Sequence, residues 1–346
     1  MEFLYEYGLF LAKAVTLVAA VIAILAAITA TALKQKGKKG ELEITDLSEQ
    51  FADVEEEITY HLLTKEQIKQ KEKDDKKQEK AQAKADKKAA KEEVKIEPKV
   101  FVLDFNGSID AKEVASLREE ISAVLSVATK EDEVFVRLES GGGMVHGYGL
   151  ASSQLDRIVK SEIPLTVSVD KVAASGGYMM ACVANKIISA PFAILGSIGV
   201  IAQVPNFHKV LKKNDVDFEQ FTAGEFKRTV TMFGENTEKG KAKFVEELEE
   251  THELFKQFVS EHRPSLDVAK VATGEHWFGL KAKELGLVDD IQTSDDYLQK
   301  ISKDKKVLAI KYATKKGIAE KLSQAASLSF DSVISKVWQN NRIFPS

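Results

Sequence analysis

The sequence predicts an α/β fold with a parallel sheet over residues 99–310. Three observations carry that expectation. Short β-branched and apolar runs recur at 100–105, 134–139, Leu165–Val169, 186–190 and 200–204. Helical patterns fall between them at 111–128, Val145–Lys160 and 177–184. Glycine-rich loops follow two of the strands, at 141–143 and 176–177. Strands that alternate with helices pair in parallel through crossovers, and such sheets place their sites at the carboxyl ends of the strands.

Taken in order, the elements begin with a head of residues 1–40. Within it, residues 14–33 are 20 consecutive uncharged positions. At about 1.5 Å per residue they make roughly 30 Å of helix, enough to cross a bilayer core. A cleaved signal peptide is the rival reading, and Ala30-Thr31-Ala32 has the small-residue character of a cleavage site. The apolar run exceeds an h-region of about 7–15 residues, however, and Glu2 and Glu6 deny the head a positive n-region. A retained anchor in a lipid bilayer is therefore expected. Lys34, Lys36, Lys38 and Lys39 follow the span, which by the positive-inside rule leaves the remainder of the chain on the cytoplasmic side.

A second segment, 41–98, is predicted to lie outside the folded domain. Residues 41–63 set apolar side chains at helical spacing among acids, as a short amphipathic helix does. Residues 65–97 hold twelve lysines and nine acids in 33 positions, with Ile68, Val94 and Ile96 as the only large aliphatics. Such a stretch builds no core and reads as a solvated spacer, closed by Pro98. Beyond the strand–helix alternation come a long charged helix over Glu238–His262, ended by Pro264, and a helical pattern at 281–287. A helical tail, 311–346, carries a last amphipathic stretch at 318–338.

Composition excludes several function classes. A net charge of −4 is no footprint for nucleic acid, and the lysines of the spacer are interleaved with acids. The single cysteine, Cys182, forms no intrachain disulfide and rules out a cysteine zinc site. Six scattered histidines show no metal-ligand spacing, so neither metal nor cofactor is expected.

The run Val172-Ala173-Ala174-Ser175-Gly176-Gly177-Tyr178 carries the chemistry. A serine between small residues, after a strand and before an apolar helix, has its hydroxyl uncovered. The helix start beyond it offers unpaired N–H groups where negative charge develops. An N-cap serine before a buried helix is the alternative reading of the same segment. Upstream, Ser140-Gly141-Gly142-Gly143-Met144 directly follows a strand and can likewise present N–H groups to an oxyanion.

Five separate segments, ESGGGMVHGYG (139–149), VDKVAASGGYMMA (169–181), GSIGV (196–200), AGEFKRTVTMFGE (223–235) and TGEHWFGLKAKELGLVDD (273–290), resemble the signal peptide peptidase A/SohB family of membrane serine proteases. More distantly they are similar to the ClpP and crotonase-like fold. The resemblance implies a Ser–Lys dyad with Ser175 as nucleophile and Lys227 as general base. It also implies Ser197 as a hydroxyl that orients the lysine amine, and the backbone N–H groups of Gly143 and Gly176 as the oxyanion hole. A lysine accepts a proton only as the neutral amine, a form favoured by desolvation and a neighbouring cation; Phe226 and Arg228 flank Lys227. Relatives form rings and cleave peptides, so peptide substrates and a homo-oligomeric ring are implied as well; some relatives work outside the cytoplasm, so the resemblance allows an extracytoplasmic catalytic domain where the lysines after the span favour a cytoplasmic one. One departure stands out: the family reads Ser-Pro-Gly-Gly at the first loop, where this chain has Gly141 in place of proline. Histidine competes for the role of base through His208 and His146. Two other classes compete for the whole chain, a crotonase-type acyl-CoA enzyme and an inactive membrane scaffold, neither of which needs a reactive Ser175.

Overall fold

A computed structural model describes residues 40–71 and 97–313, together with positions 7, 8, 11, 13, 15, 16, 73 and 77. Of the predicted anchor, 14–33, only Val15 and Thr16 are among them; the rest of it lies outside the described residues, as do most of the spacer and the stretch 318–338. Among the described residues, no helix is long and apolar enough to cross a membrane. The chain divides into two units, residues 1–42 with 312–346 and residues 43–311. In the first, the Gly40 N–H donates to the Tyr312 hydroxyl at 2.7 Å.

The larger unit carries the α/β alternation. In chain order the elements of the described residues are β1 (Glu41–Asp46), α1 (Leu47–Leu62), β2 (Lys99–Asn106), α2 (Val114–Leu125), β3 (Glu133–Glu139), α3 (Val145–Lys160), β4 (Leu165–Val169), β5 (Val172–Ala174) and α4 (Gly176–Ala181). There follow β6 (Lys186–Ser189), β7 (Ile194–Gly196), α5 (His208–Lys213), α6 (Glu238–His262), α7 (Val268–Val271), β8 (His276–Phe278), α8 (Gly279–Glu284), β9 (Asp290–Ile291), α9 (Ser294–Ile301) and β10 (Lys306–Ala313). Seven strands form one sheet in the order β1-β10-β2-β3-β4-β6-β9, and β5-β7-β8 form a second. Pairing is parallel from β10 through β9, with Val102 opposite Phe135 and Val136 opposite Val167.

Burial explains why these segments pair. β4 is buried along its whole length, β3 nearly so and β2 from Val100 to Leu103 and at Phe105, as parallel strands covered on both faces are. Helix α2 buries Val114, Leu117, Ile121 and Val124, a three- and four-residue spacing that lays one stripe on the core. Helix α3 does the same with Tyr148, Ala151, Leu155 and Ile158. Helix α4 has no exposed face at all and is tied down by the Tyr178 hydroxyl, which donates to the Leu287 carbonyl at 2.9 Å. Helix α6 is long but shallow: Thr237 caps it by accepting the Gly240 N–H at 3.1 Å, and only Phe255 and Val259 are fully buried.

Two sequence expectations change. The run 200–204 is no strand; it leaves the second sheet as irregular chain, with Ile201 79% exposed. The reason is positional. β7 lies between β5 on one side and antiparallel β8 on the other, so neither edge of β7 is left for the segment that follows it. The segment 41–63, expected outside the folded domain as an amphipathic helix, opens instead with a strand, β1, that joins the seven-stranded sheet beside β10. Asp46 divides this strand from α1, its carboxylate accepting the Glu49 N–H at 3.1 Å as an N-cap.

Candidate active site

Ser175 stands in the turn between β5 and α4, and its backbone is strained. Its φ of 52° and ψ of −119° fall where a non-glycine residue costs about 1–3 kcal/mol. The surroundings hold it there: the Ser175 N–H donates to the Gly196 carbonyl at 2.8 Å, and its carbonyl accepts the Met179 N–H at 2.9 Å. Its side chain caps nothing. The N-cap alternative therefore falls away, and the half-buried hydroxyl has no hydrogen-bond partner among the described residues.

The first glycine loop is stitched alongside. The Ser140 N–H donates to the Val172 carbonyl at 2.8 Å and the Ala174 N–H returns a bond to the Ser140 carbonyl at 3.0 Å. The ends of β3 and β5 thus travel together. Contact is close enough to require glycine: a Cβ on Gly142, whose φ is +86°, would sit 2.8 Å from the Ala174 carbonyl oxygen, the Gly176 nitrogen and the Ser175 Cβ. Among the described residues the N–H groups of Gly143 and Gly176 are taken up by no hydrogen bond. Two unpaired donors beside an unpaired hydroxyl are the ingredients of acyl transfer.

These groups open on one cavity of about 650 Å³, lined by both glycine loops, Ser175, Ser197, Met179 and, from α6, Thr251, His252 and Phe255. The structure brings Ser175, Ser197, Gly143 and Gly176 to this single space. Ser197 turns with a φ of 50°, its N–H donating to the Glu275 carbonyl at 2.7 Å. Lys227 is elsewhere in its own chain: it is exposed and lines a separate depression of about 930 Å³ with Gln203, Phe221 and Met232. His146 is exposed on the first turn of α3 and His208 begins α5; neither lines the Ser175 cavity. The histidine that does is His252, which sequence reasoning passed over. Its only sequence signal is spacing, three residues before Phe255 and seven before Val259 on the buried face of α6. Its Nε2 is buried without a partner among the described residues. No group of acidic, cysteine or histidine side chains among the described residues is arranged to hold a metal ion.

Comparison with known proteins decides the family. Residues 2–155 match the family described as Peptidase family S49 N-terminal, and residues 157–308 match Peptidase family S49. A protein named Probable protease SohB from Haemophilus influenzae is 54% identical over 337 residues, covering 96% of each chain. The chain belongs to peptidase family S49. A second Probable protease SohB, from Buchnera aphidicola of the host Acyrthosiphon pisum, is 51% identical and covers 98% of both chains. Among solved structures, a mutant of the 1510-N membrane-bound stomatin-specific protease aligns with 59% of this chain and 85% of its own, with a TM-score of 0.39 and 14% identity. This S49 chain is accordingly a peptidase, with an α/β body built on a parallel sheet.

Proposed function

We propose that this peptidase is a membrane-anchored serine endopeptidase that cleaves hydrophobic peptides, among them signal-peptide remnants, through an acyl-enzyme. The observation that carries the reading is the strained, unpartnered Ser175 between two unpaired N–H groups. Ser175 Oγ attacks the scissile carbonyl and its proton passes to the neutral amine of Lys227. The tetrahedral oxyanion rests on the N–H groups of Gly143 and Gly176. As the C–N bond breaks, Lys227 returns the proton to the leaving amine, and water then attacks the ester by the same route in reverse. Val145, Met179, Val200, Ile201 and Phe255 line the cavity and favour apolar peptide side chains.

Within one chain Lys227 lines a different depression, so the dyad is assigned to two copies in a closed ring. Support comes from the segment that bears it. Phe207, Phe218, Phe221, Phe226 and Phe233 are all exposed between residues 201 and 236, an apolar surface that a neighbouring copy would cover. Ser197, in the cavity, is then the hydroxyl that receives the incoming amine. The uncharged run 14–33 anchors the ring in a bilayer, and the lysines after it set the catalytic body on the cytoplasmic side. The ClpP/crotonase-like arrangement is the fold that fits this assignment.

A fluorophosphonate probe tests the nucleophile and mixing tests the dyad. Labelling is expected on Ser175 and lost in Ser175→Ala, while Lys227→Ala lowers peptide hydrolysis by about 10³-fold or more. Mixed rings of the two inactive variants should recover part of the activity by pairing intact halves. Absence of labelling removes the serine mechanism; mixed rings without recovery place the base within the same copy.

A further inference from the structure

We infer that Tyr148 is a positioning residue for the oxyanion hole, acting through Ser140 to fix the glycine loop and through its ring to seat Gly176. The inference rests on the peptidase reading and adds Tyr148, to which the sequence analysis gave no role.

Proton counting fixes the direction of the bonds at Tyr148. The Tyr148 hydroxyl lies 2.8 Å from the Ser108 carbonyl and 2.5 Å from Ser140 Oγ. A carbonyl only accepts, so the one phenolic proton goes to Ser108. Tyr148 must then accept from Ser140, whose own proton is thereby spent. Ser140 Oγ is left as an acceptor and takes the Gly142 N–H at 3.1 Å. The chain of donation has one direction, from Gly142 N–H to Ser140 to Tyr148 to the Ser108 carbonyl. On the other side of the loop, the Met144 N–H donates to the Ile109 carbonyl at 2.8 Å. Gly143 therefore sits between two N–H groups that are each pinned, and its own is the free donor of the three.

The second oxyanion donor meets the same side chain. A Cβ on Gly176 would lie 2.4 Å from Tyr148 Cγ, so the Gly176 backbone rests directly on the ring. Tyr148 is 0% exposed, and Phe105 packs edge-on against it at 6.4 Å between centroids. Burial pushes the phenol above its ordinary range, as do the nearby carboxylates of Glu113 and Asp110, and this outweighs the opposing hydrogen bond with Ser140. The proton stays on the phenol, as the donation chain requires. One residue on the first turn of α3 thus joins the loop after β2, the loop after β3 and the turn after β5.

The test is Tyr148→Phe in the full-length protein, with Ser140→Ala as a second variant that breaks the same chain from the glycine side. In each, kcat should fall about 10- to 100-fold with KM within about twofold, because the loop matters most where the oxyanion forms. Affinity for a peptide aldehyde, whose tetrahedral adduct occupies the hole, should fall in parallel with kcat, and a double variant should be no worse than the more damaged single one. A merely structural tyrosine would lower Tm without that parallel. Unchanged kcat in both variants, or additive losses in the double, overturns the inference while the parent still hydrolyses peptides. A parent that neither hydrolyses peptides nor labels with fluorophosphonate overturns the peptidase mechanism itself, and this inference with it.

Discussion

Adjacent glycines in the first loop should respond in opposite ways to the same substitution. At Gly142 the backbone has a φ of +86°, and an added Cβ would meet three atoms of the Ser175 turn at 2.8 Å, two of them backbone. The left-handed backbone costs an L-residue about 1–2 kcal/mol, and overpacking against atoms that cannot rotate away costs about 1–3 kcal/mol. Gly142→Ala should therefore destabilise by roughly 2–4 kcal/mol after the small unfolded-state gain of adding a side chain. For a domain of this size that is a fall in Tm of about 4–16 °C. Activity should drop further, by at least about 10²-fold, because the turn and the donors it holds move together. At Gly141 an added Cβ meets nothing within 4 Å, and the residue is not among those of positive φ. Gly141→Ala, and Gly141→Pro where φ suits it, should keep activity and gain about 0.4–1 kcal/mol by restricting the unfolded chain. Thermal unfolding and peptide kcat/KM on the full-length protein in detergent measure both. Equal tolerance at the two positions, or loss at Gly141 alone, would refute the loop geometry on which the oxyanion assignment stands.

Two further outcomes follow from a paired and an unpaired polar group. Burial pushes the Asp289 carboxyl up, but hydrogen bonds from Arg263 and the Ile187 N–H, with the guanidinium charge, outweigh it and hold it below its ordinary value of 3.8. A carboxyl depressed in the folded state contributes stability above its unfolded value, near 3.9, and loses it as pH falls through the folded value. Asp289→Asn should thus cost about 1–3 kcal/mol at pH 7, discounted because the carboxylate is 36% exposed. The gap to the parent should narrow below about pH 4 in urea titrations; a gap independent of pH would contradict the pairing. His252→Leu removes a buried nitrogen that has no partner among the described residues, so Tm should rise by an amount equivalent to about 1 kcal/mol, and a clear fall would mean that Nε2 is bonded.

What the sequence disclosed and what it hid divide by the range of the forces involved. Ser175 and the glycine loop were legible because small residues after apolar runs state a local need: room for a substrate backbone and free N–H groups. The strain at Ser175 was not, because its cause lies 21 residues on, where the Gly196 carbonyl holds the Ser175 N–H. The run 200–204 has strand composition yet makes no strand, since pairing requires a free edge and β8, from far along the chain, has taken the one beside β7. Tyr148 carries no signal of its own within the helical pattern 145–160; only the meeting of three strand ends makes its hydroxyl matter. The proposed role of Lys227 rests on family resemblance alone, and its placement tells why. A general base needs to be dry and near its serine, and nothing local to Gly224-Glu225-Phe226-Lys227-Arg228 provides either condition, for Phe226 and Lys227 are both exposed. An exposed candidate base and an exposed aromatic surface on one segment have a common remedy. In the proposed ring, a neighbouring copy that covers those phenylalanines would desolvate the lysine in the same step, so that ring assembly and dyad assembly would be one event.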